Sequence, residues 1–255
     1  MIRVTSLGLL STLISAPALA IVNIEDVRIA PAAEGFSGKL SLGLSGKRGN
    51  SDKDDIDLGS RLQWQQKDSY QFIVLSYDYS QTQAQRSSNK SFLHARHAQQ
   101  YHPRRAWEAF TQVESNEFAR LSFRGLIGAG IRWTLGQPND HYSFHLGTGA
   151  FAVRETLEHS AGYTDRGDDN FSRANIYIAY KHKLNRQLSL MSTTYYQPRL
   201  DDGQDYRALE QASLQVKMTD QLSLSLSVDI SHDNHPPADV EETDISYKTA
   251  LNYRF

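Results

Sequence analysis

A chain of 255 residues with a formal net charge of −2 and no cysteine excludes disulfides, thiolate metal sites and a cysteine-linked lipid anchor. The balanced charge leaves no electrostatic footprint for nucleic acid. With 39% hydrophobic residues and a mean hydropathy of −0.54, no segment after the amino-terminus approaches the roughly 18 apolar residues of a spanning helix. A β-barrel escapes that test, because only every second residue meets lipid.

The amino-terminus reads as a secretory leader over residues 1–20. Arg3 supplies the positive start, Val4 to Ala20 are mostly apolar, and Ala18-Leu19-Ala20 has the form of a cleavage site. The mature chain is expected to begin near Ile21. Residues 21–34 read as a short periplasmic lead-in, broken by Pro31-Ala32-Ala33.

From residue 35 onward, apolar side chains return on alternate positions, the period of a strand with one greasy and one wet face. The first run places Phe36, Leu40, Leu42 and Leu44 on the greasy face, and the second Ile56, Leu58, Leu62 and Trp64. A third, over 70–82, is apolar on both faces at first. Leu93, Ala95 and Tyr101 mark the fourth, and Trp107, Ala109 and Val113 the fifth. The sixth is the clearest, with Leu121, Phe123, Ile127, Ala129, Ile131, Trp133 and Leu135 on one face. Runs seven to eleven carry Tyr142 to Ala152, Ile176 to Leu184, Leu188 to Tyr196, Leu214 to Met218, and Leu222 to Ile230. On run ten Glu210 falls among the greasy positions, which calls for a bulge or a later start. The twelfth alternates from Thr243 to the terminal Phe255. Taken alone, that strand also fits the edge of a soluble sandwich.

Connectors and aromatics favour the barrel. The turns at Lys67–Ser69, His102–Arg105, Gly136–Asp140, Asn185–Gln187 and Thr219–Gln221 are short. The long connectors, Gln83–Ser91, Thr156–Asn170, Arg199–Asp205 and Asp233–Glu242, all fall on the opposite rim. Short periplasmic turns and long outer loops are the outer-membrane asymmetry. Phe36, Trp64, Tyr101, Trp107, Trp133, Tyr142 and Phe255 fall near the short-turn edge, as a girdle at the lipid–water boundary would. The expected fold is all-β: one antiparallel up-and-down transmembrane β-barrel of about 12 strands over 35–255, both termini periplasmic. Its expected surroundings are outer-membrane lipid and lipopolysaccharide, with the barrel-assembly machinery reading the strand that ends at Phe255.

Several motifs carry a family likeness. They are Gly46-Lys47-Arg48-Gly49-Asn50-Ser51, Trp107-Glu108-Ala109-Phe110, Asn116-Glu117-Phe118-Ala119, Arg124-Gly125-Leu126-Ile127-Gly128-Ala129-Gly130, Asp205-Tyr206-Arg207 and Tyr253-Arg254-Phe255. Together they resemble the YdiY-like "salt-induced outer-membrane protein" family, a domain of unknown function. The likeness runs from about residue 35 to 255. It implies an outer-membrane barrel of a Gram-negative bacterium, linked to salt or envelope stress, and brings no catalytic residue with it.

If the greasy face meets lipid, the other lines the lumen. Basic residues there include Lys39, Arg61, Arg96, Arg120, Arg124, Arg132, Arg173, Lys181 and Lys248, and acidic ones Glu108 and Glu114. Arg120, Arg124 and Arg132 face Glu108 and Glu114 across adjacent runs, an expected ladder. Such charges either fill and brace the barrel or line a narrow passage that favours anions. Acidic loops, Asp52-Lys53-Asp54-Asp55 among them, read as solvated charge, and no metal or other cofactor is expected. An envelope enzyme would need a serine and a base within reach. Ser192 and His182 are outward candidates, but they lie at different heights and no Gly-x-Ser-x-Gly element is present. The expected role is therefore structural or weakly permeable rather than enzymatic.

Overall fold

The computed structural model describes residues 34–48, 52–135, 141–158, 167–219 and 222–253. The expected leader, nearly all of the lead-in, and Phe255 lie outside the described residues. Twelve strands follow in chain order: β1 Gly35–Lys47, β2 Lys53–Gln65, β3 Ser69–Thr82, β4 Gln85–His102, β5 Arg105–Asn116, β6 Leu121–Leu135, β7 Tyr142–Leu157, β8 Asp168–Lys183, β9 Leu188–Pro198, β10 Tyr206–Lys217, β11 Leu222–Asp233 and β12 Thr243–Tyr253. They form one sheet in sequence order. Each described ladder joins chain neighbours in antiparallel register, from Phe36 opposite Trp64 to Leu226 opposite Thr249.

The sheet curls. Arg207 on β10 reaches Glu155 on β7 at 3.2 Å, and the Tyr177 hydroxyl on β8 donates to Glu108 on β5 at 3.0 Å. Lys90 on β4 lies in the field of Asp244 on β12. No flat sheet brings such distant strands together.

Its polarity is inverted relative to a water-soluble domain. Leu40 is 78% exposed and Ile127 68%, whereas Arg173 is 2% exposed and Glu108 3%. Exposed leucine and buried, paired charge make sense only if hydrocarbon covers the outer wall.

Three local readings are corrected. The connector expected over Gln83–Ser91 is a tight hairpin in which Gln83 and Ala84 alone separate β3 from β4, both at positive φ. Strand β4 continues through Gln85–Ser91 with polar residues on both faces, so its alternation fades while its ladder to β3 runs on past one register shift at Ser80/Gln81. Between β5 and β6, Glu117–Ala119 form a single 3-10 turn capped by Asn116, whose Oδ1 accepts from the Phe118 amide at 3.1 Å. Register shifts follow, so Leu121 turns inward and is 4% exposed, while Phe123 stays outside. Finally, β10 needs neither a bulge nor a later start. Its ladders run unbroken from Arg207 to Lys217, and Glu210 remains on the outer wall. Ser192 donates to one of its oxygens at 2.8 Å and Thr194 to the other, so hydroxyls stand in for the water it lacks.

The interior is packed with rings as well as charges. Phe110 and Phe151 meet edge to face at 6.2 Å, and Tyr177 lies 5.2 Å from Tyr195. Glycines make room for them. A Cβ on Gly128 would stand 2.5 Å from the Phe110 ring and 2.6 Å from Phe151 Cβ, and one on Gly147 would overlap the Tyr177 ring. Gly147→Ala is therefore expected to destabilise the barrel by about 1–3 kcal/mol, the usual range for overpacking. Urea unfolding in lipid vesicles would measure it. The double variant with Tyr177→Ala should cost less than the sum of the two singles, and strict additivity would refute the contact.

Candidate functional site

The inner wall from β4 to β11 carries a chain of buried ion pairs. On β5, Glu108, Phe110, Gln112, Glu114 and Asn116 alternate inward and are all buried. Glu108 accepts from Arg96 of β4 at 3.0 Å, and the Arg96 guanidinium lies 4.8 Å from the centre of the Phe110 ring. Arg132 on β6 donates to the Tyr177 hydroxyl at 3.1 Å, which hands on to Glu108. Higher on the wall, Arg124 bridges Glu114 at 2.6 Å and Glu155 at 2.7 Å. Arg207 bridges Glu155 at 3.2 Å and Asp233 at 2.7 Å.

A second cluster surrounds Phe171. The guanidinium groups of Arg199, Arg173 and Arg207 lie 4.5, 5.1 and 6.0 Å from its ring centre. Three cations can share one ring because carboxylates neutralise them. Arg173 donates to Asp205 at 2.6 Å, and Arg199 to Asp169 at 2.8 Å and Asp201 at 2.7 Å. In the loop after β9, the hydrogen bond from Arg199 holds the Asp201 carboxyl below the usual carboxylate range.

Among the residues anticipated as lumen-lining, Arg96, Glu108, Glu114, Arg124 and Arg173 are buried in this network, and Arg132 is joined to it through Tyr177. Arg61 donates to Gln63 Oε1 at 2.6 Å, and its buried Nε has no hydrogen-bond partner among the described residues. Lys181 is half-buried on β8, opposite Ser143 and Met191. Lys39 and Lys248 stand opposite Arg61 and Ser227 in their ladders. Arg120 is the exception. It follows the 3-10 turn with φ 53°, off the strand, and donates to the carbonyls of Ala238 at 2.9 Å and Glu158 at 3.2 Å. It ties loops together rather than joining the expected ladder.

On the outer face Phe36, Trp64, Tyr101, Trp107 and Tyr142 are exposed, while Trp133 is half-buried opposite Arg105 and Leu146. Ser192 stands opposite Tyr180, and His182 is two residues further along β8. The Ser192 hydroxyl donates to Glu210, and His182 Nδ1 pairs with the Tyr180 hydroxyl at 2.9 Å. Among the described residues no group of three or more His, Cys, Asp or Glu is arranged to hold a metal ion.

The residue most conspicuously missed by sequence reasoning is Arg207. The even-numbered greasy positions Leu214 and Val216 already place the odd-numbered residues of β10 inside, so parity alone could have found it. Phe171 and Tyr177 share the odd parity of Arg173 and Lys181 on β8, so the same counting would have placed both rings inside.

An all-β sheet with a greasy outer wall and paired charges within is a β-barrel of the outer-membrane type. The chain belongs to the DUF481 family, proteins of unknown function, which it matches over residues 40–255. Among solved structures it is similar to the NanC porin at 10% identity and a TM-score of 0.50, covering 84% of this chain and 100% of that one. It is also similar to the translocator domain of the autotransporter NalP from Neisseria meningitidis, at 10% identity and a TM-score of 0.46, over 90% and 92% of the two chains. A Pseudomonas aeruginosa FadL homologue matches at 12% identity and a TM-score of 0.39, over 87% of this chain and 73% of that one. No curated protein matches. At these identities the likeness to NanC speaks for the fold alone.

Proposed function

We propose that the protein is an outer-membrane barrel of small, weakly selective permeability, whose main work is structural and belongs to the envelope's response to salt. The observation that carries this reading is the ion-pair network from β4 to β11, which braces the wall from inside. Charges so paired give rigidity and little net field. The count of basic inward residues alone favours anions, but Arg96, Arg124, Arg173 and Arg207 each have a carboxylate partner. Their surplus is largely cancelled, and any anion preference is weak. Lipid and lipopolysaccharide contact the outer wall in this reading, and the assembly machinery engages the closing strand.

Purified protein in a planar bilayer is expected to give small steps of conductance with a reversal potential close to zero under a salt gradient. Silence from protein that shows heat-modifiable gel mobility would remove the permeability. A deletion strain that grows and retains periplasmic contents normally at high salt would remove the envelope role.

A further inference from the structure

We propose that the loop between β11 and β12, residues 234–242, is a strap drawn across the outer mouth of the barrel and latched by Arg120, and that small polar solutes enter from outside only when it lets go. The inference rests on the permeable reading above and adds where and how the passage is shut. β6 and β12 stand six places apart in the strand order. In a sheet that curls into a barrel, the β5–β6 and β11–β12 loops therefore start from opposite sides of the mouth. Yet Arg120, just ahead of β6, donates to the carbonyl of Ala238 at 2.9 Å. The same guanidinium donates to the carbonyl of Glu158, beyond the end of β7, at 3.2 Å, and the Arg120 carbonyl accepts from the Glu158 amide at 2.7 Å. One cation thus ties loops from both sides together.

The strap is shaped for that reach. The Val240 amide bonds the Pro237 carbonyl at 3.1 Å, and Asp239 has a φ of 61°, so Pro237–Val240 is a tight turn that presents Ala238 at its tip. At its base the Asp233 amide bonds the Glu242 carbonyl at 2.9 Å, and Asn234 accepts from the Tyr206 amide at 2.7 Å. What lies beneath is dry. Leu121 and Ser231 face inward at the outer end of the lumen, where an open mouth would wet them, but they are 4% and 5% exposed. With Glu155 they line a cavity of about 30 Å³ whose other wall is Pro236, Pro237 and Val240 of the strap, room for about two waters. Residues 234–242 carry no strand of their own, whereas the Arg124–Glu155 pair under them is buried at 2.7 Å. Segments without a ladder open before packed ones, so the strap yields first and the network below keeps its shape.

The chain has no cysteine, so a single thiol can report on the covered space. Ser231→Cys exchanges one atom at a buried position of β11. It is made in the full-length protein, alone and with Arg120→Ala, and treated in proteoliposomes with a cationic, membrane-impermeant methanethiosulfonate. Glu241→Cys, at an exposed position of the strap, supplies the rate of an open thiol. Alone, the Ser231→Cys thiol is expected to react about tenfold more slowly than the Glu241→Cys thiol, because access governs thiol reactivity. Arg120→Ala should recover most of that difference and lengthen the open intervals in a planar bilayer. Heat-modifiable gel mobility shows which variants are folded. Replacing Pro236 and Pro237 together by glycine, outside every ladder, repeats the test should Arg120→Ala misfold. A Ser231→Cys thiol as fast as the exposed one would overturn the closed mouth. A slow thiol that neither Arg120→Ala nor the double glycine variant speeds would overturn the latched strap. The expected change in rate with a bilayer that stays silent would refute the permeability and leave the strap standing.

Discussion

Glu155→Gln is expected to destabilise the barrel by about 3 kcal/mol, the lower end of the cost of breaking a buried ion-pair network by removing one charge. Glu155 is 8% exposed and accepts from two guanidinium groups, Arg124 on the neighbouring β6 and Arg207 on β10. Glutamine keeps the shape and one carbonyl oxygen but removes the negative charge between them. Arg124 retains Glu114, and Arg207 retains Asp233, yet the two cations then face each other inside the wall with less to neutralise them. Urea unfolding in lipid vesicles, followed by the fluorescence of the three tryptophans, is the measurement. The companion change Asp201→Asn removes a carboxylate from an exposed loop pair and should leave the unfolding midpoint almost unchanged, because solvent screens such pairs. Pairing Glu155→Gln with Arg207→Gln in a double-mutant cycle should show coupling, because removing both partners leaves fewer uncompensated charges than removing one. A loss within about 0.5 kcal/mol for Glu155→Gln would mean that water reaches the network and that the interior is open where packing is inferred.

Strand alternation made most of this architecture legible. A side-chain period of two assigns the outer face of β1, β2, β6 and β11 directly, because large apolar residues recur on most alternate places of each. The signal failed where its physical cause was absent. The Gln85–Ser91 part of β4 is polar at every position, so no apolar face is marked and the strand reads as a loop. Parity counting also breaks at a bulge, which is why Leu121 and Arg120 were assigned to the wrong places. The inward aromatics had a weaker signal in the facing glycines. Gly128 and Gly147 lie within strands that otherwise gain from side chains, and each makes room for a ring.

The site was legible only as a set of charged positions. The expected ladder set Arg120, Arg124 and Arg132 as a group against Glu108 and Glu114, and within it the structure pairs Arg124 with Glu114. Ladder counting cannot join Arg207 to Glu155, because β10 and β7 are separated in the sheet and meet only through its curvature. Glu210 shows the same limit from outside. Period two puts it in lipid, and its tolerance there depends on Ser192 and Thr194, a polar pair on the adjacent strand whose purpose appears only once the ladder is known.

Ile127→Lys distinguishes hydrocarbon from water on the outer wall. Ile127 stands midway along β6, 68% exposed, between Thr111 and Ala152 in the two ladders. In a water-soluble protein an exposed isoleucine can become lysine with almost no change, within about 0.5 kcal/mol. At the midplane of a bilayer the same exchange costs about 2–4 kcal/mol, because the ammonium must leave water or drag water with it. Depth supplies the internal control. Ser115 lies near the end of β5, where its hydroxyl bonds Ser91 at 2.8 Å, and Ser115→Lys should cost only about 0–1 kcal/mol, as near an interface. Both variants are compared with the parent by reversible unfolding in vesicles. A large penalty at Ile127 with a small one at Ser115 follows from a membrane-embedded wall. Equal and negligible penalties would mean that water, or a soluble partner, covers the greasy face, and the assignment of inside and outside would fail with it.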